Sequence, residues 1–73
     1  MTQTLTAAYP DRLKARNALD ELVADGLPRE SLFLDEERGE VKVIIPDEGR
    51  REVEEVLGRH EPTQLWSRPY EGG

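Results

Sequence analysis

The chain has 73 residues, no cysteine, and 10 basic against 16 acidic side chains, for a net charge of −6 at neutral pH. That length allows one domain, near the lower limit at which a core forms unaided, and the missing cysteines exclude disulfides and thiolate metal sites. The excess of negative charge repels phosphate backbones and anionic bilayers, so neither nucleic acid nor membrane is an expected partner.

The apolar run Val43 to Ile45 falls far short of the roughly 20 residues a membrane helix needs, and Met1 to Thr6 lacks the basic-then-apolar pattern of a secretory signal. A soluble, cytoplasmic domain is expected. Hydrophobic content is only 36%, yet the apolar residues recur at regular intervals, which a disordered chain has no reason to maintain.

Thr2 to Tyr9 alternates, with Leu5, Ala7 and Tyr9 on one side and Thr4, Thr6 and Ala8 on the other, and reads as a first strand. Pro10 removes an amide donor and Asp11 can cap a helix, so a helix is expected from Arg12 to Asp25. Ala15, Ala18, Leu19, Leu22 and Val23 form its apolar stripe, and Arg16 and Asp20 stand one turn apart for pairing. Gly26 is the natural left-handed residue after it, with Leu27 folding back on Leu22 and Pro28 preventing continuation.

Ser31 to Asp35 reads as a short second strand, and Asp35 to Gly39 as the turn of an antiparallel hairpin into Glu40 to Pro46, the clearest strand of the chain. There Val41, Val43 and Ile45 alternate with Glu40, Lys42 and Ile44. Pro46 and Asp47 repeat the Pro10 and Asp11 device, so Asp47 is expected to cap a second helix with the stripe Val53, Val56 and Leu57 and a Glu55–Arg59 pair. Pro62 ends that helix near His60. Thr63 to Arg68 reads as the last strand and residues 69–73 as a frayed tail.

Two strand-helix-strand units joined by a hairpin give the order βαββαβ, and the expected fold is an α+β, ferredoxin-like two-layer sandwich. Its four-stranded antiparallel sheet has the order 4-1-3-2, with both helices on one face and the other face open. One domain spans residues 1–73.

Candidate chemistry is sparse. His60 is the single histidine and has no second ligand or base near it in sequence, so it is expected in the last helical turn, at the negative end of the dipole. Asp35, Glu36 and Glu37 lack the glycine and ligand spacing of a calcium loop. An RNA-binding sheet needs aromatics on its central strands, where this chain offers Glu40, Lys42, Ile44, Thr4, Thr6 and Ala8. An anion cradle after the first strand would need glycines, where Tyr9, Pro10 and Asp11 stand. No catalytic, metal or cofactor residue is expected.

Tyr9-Pro10-Asp11, Ala18-Leu19-Asp20-Glu21-Leu22 and the run Gly26 to Leu32, with Glu52 to His60 as a second half, resemble the ends of bacterial general stress proteins of the 17M type. Longer members carry a glycine-rich apolar insertion between the halves, which Asp35 to Gly39 replaces here. The resemblance covers about two-thirds of the chain and rests on helix pattern and capping turns. It implies a small, stress-associated bacterial domain without enzyme activity.

The expected function is a non-enzymatic interaction or regulatory module. If Leu5, Ala7, Leu32, Leu34, Val41, Val43, Ile45 and Leu65 face the helices, Ala8, Phe33, Ile44 and Trp66 face outward and form a contact surface for a homodimer or a protein partner. Two alternatives stand beside it. One is a small-ligand-sensing regulatory domain, which would want a glycine-bearing turn after the first strand. The other is a ubiquitin-like or sulfur carrier using the terminal Gly72 and Gly73, although such proteins open with a hairpin.

Overall fold

The computed structural model describes residues 1–70. Gly72 and Gly73, and with them the carrier reading, lie outside the described residues. In chain order the elements are β1 (Thr2–Ala8), α1 (Arg12–Ala24), β2 (Leu32–Asp35), β3 (Glu40–Pro46), α2 (Arg50–Arg59) and β4 (Gln64–Pro69), with 3₁₀ turns at Arg29–Ser31 and Asp47–Gly49.

The fold is α+β: a four-stranded antiparallel sheet with two helices. The strand order is β2-β3-β1-β4, which is 4-1-3-2 counted from the opposite edge. β1 lies between β3, with Leu5 opposite Val43, and β4, with Leu5 opposite Ser67. Because strand side chains alternate, this register sends Leu5, Ala7, Val41, Val43 and Ile45 to one face together. There they form a single buried cluster with Ala15, Ala18 and Leu22 of α1 and Val53, Val56 and Leu57 of α2. Each fully buried Leu or Val contributes about 1.5–3 kcal/mol.

The helix ends differ in how they are closed. At the start of α1 the Asp11 carboxylate accepts from the Lys14 amide at 2.9 Å, as its position implied. Its end is a Schellman motif: the Leu27 amide donates to Leu22 and the Gly26 amide to Val23, with Gly26 at φ +97°. α2 departs from expectation, because Gly49 and not Asp47 is its N-cap, without a side-chain bond. The reason is tertiary. The Asp47 amide donates to the Met1 carbonyl at 2.7 Å, which holds the chain beside β1 and turns it through a 3₁₀ step before the helix begins.

Other expectations are corrected at the strand ends. Ser31 belongs to a 3₁₀ turn rather than to β2. β4 continues through Pro69, and the Tyr70 amide donates to Thr2, so the pairing outlasts the tail expected from residue 69. A proline fits there because β4 is an edge strand, with one side free of ladder bonds. Leu65 shares the helix side through its partner Ala7 but stays 36% exposed at that edge.

The two expected helix ion pairs do not form, and other pairs stand in their place. Arg59 donates to Glu21 of α1 at 2.8 Å instead of pairing with Glu55, and Arg50 pairs with Asp47 and Glu54. Among the described residues Arg16 and Asp20 form no pair within 4.0 Å. No helix of the described chain is long and apolar enough to cross a membrane.

Candidate functional site

The sheet face turned away from the helices is the candidate site, and its layout follows from register. One cross-strand row runs Phe33, Lys42, Thr6, Trp66, and the next runs Ile44, Thr4, Arg68. A third holds Asp35, Glu40, Ala8 and Gln64. All four residues expected at the contact surface, Ala8, Phe33, Ile44 and Trp66, therefore lie on this face.

They do not form one patch. Phe33 is directly opposite Lys42, so Ile44 is its diagonal neighbour, and these two make an apolar corner on β2 and β3. Trp66 stands two strands away, beyond Lys42 and Thr6, and Ala8 lies between Glu40 and Gln64. Phe33 is 49% exposed, while Ile44, Ala8 and Trp66 are half-buried.

Between the two apolar groups the face is hollow. β1 is the second strand from the β4 edge and carries only the short side chains of Thr2, Thr4, Thr6 and Ala8 outward, whereas its neighbours carry Glu40, Lys42, Trp66 and Arg68. Short side chains between long ones make a trough along β1. A cavity of about 310 Å³ opens there, lined by Thr4, Thr6, Arg38, Glu40, Lys42, Trp66, Arg68 and Pro69. Thr6, between Lys42 and Trp66, is 4% exposed although it lies on the open side. Sequence reasoning placed Thr4, Thr6 and Lys42 outward but missed the trough. Arg38 and Arg68 were not foreseen in it, because neither the path of the β2–β3 turn nor the register of β4 on β1 is written in one segment alone.

A second hollow, of about 400 Å³, lies where the β2–β3 turn meets the end of β1, lined by Tyr9 to Arg12 and Glu36 to Gly39. Gly39 sits at φ +65°, and a Cβ there would stand 3.0 Å from the Tyr9 carbonyl, while its own carbonyl accepts from the Tyr9 amide at 2.8 Å. Asp11, Glu36 and Glu37 border this hollow together with Arg12 and Arg38, so its charges are of both signs.

His60 is not the isolated group that its position in sequence implied. Its Nε2 lies 2.8 Å from Glu21 Oε1 while Arg59 holds the other carboxylate oxygen, so one acid of α1 is gripped by the end of α2. Tyr9 is buried and donates its hydroxyl to the Leu57 carbonyl at 2.8 Å, and burial pushes its pKa up to about 12. Both arrangements join elements of the core, away from the open face. Among the described residues no group of three or more His, Asp or Glu side chains is placed to hold a metal ion.

Comparison of the chain with family models, with curated proteins and with solved structures gave no match.

Proposed function

We propose that the protein is a non-enzymatic interaction module that docks a protein partner through the open face of its sheet. One observation carries this: Phe33 is 49% exposed in the middle of a strand, diagonal to Ile44, whereas its chain neighbour Leu32 on the helix side is buried. A large aromatic group held in water on a regular, uncovered surface is the kind of apolar area that a partner removes from solvent.

The chain order and the sheet order support reading the fold as a ferredoxin-like split-βαβ sandwich. The resemblance to general stress proteins of the 17M type adds a stress-associated role in the bacterial cytoplasm. A small-ligand sensor draws less support, because the hollow beside Tyr9 is open and its lining mixes acids with Arg12 and Arg38 instead of presenting a glycine-bearing turn.

The Phe33–Ile44 corner also favours a second reading, a homodimer closed through the same face. Light scattering over a concentration series separates the two. A constant monomer mass is the result expected for a module that awaits a different protein. Growth in mass that Phe33→Ser with Ile44→Thr abolishes would replace it with the homodimer. A photo-crosslinker at Phe33 should capture a protein that the same group at Arg51, on exposed α2, does not; equal capture from both positions would sink the open-face assignment.

A further inference from the structure

We infer that the trough over β1 takes an extended, acidic segment of the partner protein, an inference that rests on reading the open face as the docking surface. Charge is the first argument. The lining holds three cations, Arg38, Lys42 and Arg68, against one carboxylate, Glu40, on a chain whose net charge is −6. Arg38 is loosely engaged by Asp35 at 4.0 Å, but among the described residues neither Lys42 nor Arg68 has an acidic group within 4.0 Å. A positive recess on a negative protein concentrates carboxylates where the rest of the surface repels them.

Shape is the second argument. The walls stand on β3 and β4, two strand spacings or roughly 10 Å apart, which leaves the width of one strand position over β1 for an extended chain to lie along. Successive side chains of an extended segment leave on opposite sides, so neighbouring acidic residues reach Lys42 on one wall and Arg68 on the other. The Thr4 hydroxyl on the floor can donate to the same carboxylates, and the indole of Trp66 offers an apolar wall.

The same charges weigh against a second copy placed face to face, since that would bring together two recesses that each carry an excess of cations. They do not by themselves select nucleic acid, whose long run of phosphates must also pass the acidic remainder of the chain.

The test uses the whole ¹⁵N-labelled protein, titrated separately with four probes: a short peptide rich in Asp and Glu with one Leu, its Asn and Gln counterpart, its Lys counterpart, and oligouridylate. The acidic peptide should shift the amides of Thr4, Thr6, Lys42 and Arg68 and the indole signal of Trp66, the only tryptophan. Its affinity should fall by about ten-fold or more in Lys42→Gln with Arg68→Gln. In Lys42→Glu with Arg68→Glu the preference should pass to the Lys peptide, while an unchanged thermal transition shows that the fold is intact. Equal shifts from all three peptides, shifts confined to the helices, or tighter binding of oligouridylate would overturn the inference. If the acidic peptide shifts nothing while a crosslinker at Phe33 still captures a partner, the docking face stands and its acidic preference falls.

Discussion

The Tyr9 hydroxyl and the Leu57 carbonyl, 48 residues apart in sequence, are joined by a 2.8 Å hydrogen bond that ties the end of β1 to the last turn of α2. The phenol brings its ring into the core and its oxygen to a last-turn carbonyl whose other donor is the more distant His60 amide, at 3.4 Å.

Tyr9→Phe should therefore cost about 1 kcal/mol in urea unfolding, the net worth of one buried hydrogen bond. Burial of the phenol also makes stability depend on pH in the alkaline range. Burial pushes the folded phenol's pKa up to about 12, above the ordinary 10.0, so between those values the unfolded chain has lost a proton that the native state retains. The stability is full below pH 10 and falls as pH rises toward 12. Ultraviolet titration of Tyr70→Phe, where Tyr9 is the sole phenol, should give an apparent value well above that of the unfolded chain. An ordinary value would remove the burial argument.

The two glycines with positive φ should differ in cost. Gly26, at φ +97°, has open space where a Cβ would stand, so Gly26→Ala loses about 1 kcal/mol through backbone strain alone. Gly39→Ala adds crowding against the Tyr9 carbonyl at 3.0 Å and disturbs the turn that carries β2 into β3. Its urea midpoint should be the lower of the two. The reverse order would mean that the turn shifts without resistance.

Val43 is fully buried on the helix-covered face of the sheet, while its neighbour Lys42 is exposed. Val43→Asp places a charge where no partner exists, and the cost, several kcal/mol, consumes most of what a domain of this size possesses. Lys42→Ala should leave the thermal midpoint nearly unchanged. A cooperative, undisplaced transition in Val43→Asp would contradict the facing of β3.

Glu61 follows α2 at φ +61°, a left-handed conformation rare for a residue with a side chain. Its carboxylate accepts from Lys14 Nζ at 2.9 Å, which lowers its pKa and raises that of Lys14. Both groups are exposed, so the pair offers little, whereas Glu61→Gly relieves the strain; the variant should melt at a slightly higher temperature. The carboxylate's contribution is present above its unfolded pKa and lost as pH falls, so the gain should be no smaller at acidic pH. A lower melting temperature for Glu61→Gly at neutral pH would show that the ion pair outweighs the backbone.

Much of this architecture is legible in the sequence because it is written at short range. The alternation through Leu5, Ala7, Val41, Val43 and Ile45 decides which residues face the helices, since strand side chains leave on opposite sides. Gly26 and Asp11 mark the ends of α1 because one lacks a Cβ and the other carries an oxygen able to reach a free amide. The open face and its outward residues Ala8, Phe33, Ile44 and Trp66 follow from the same alternation. Only the tertiary structure decided how those residues are spaced. The register that sets Lys42 and Trp66 on either side of Thr6 joins strands from three parts of the chain, and it separates the expected patch into a corner and an indole with a basic trough between them. Asp47 lost its capping role to a contact with Met1, and Glu21 took Arg59 and His60 from the other helix. In each case a local preference worth about 1 kcal/mol or less yielded to the packing that brings distant segments together.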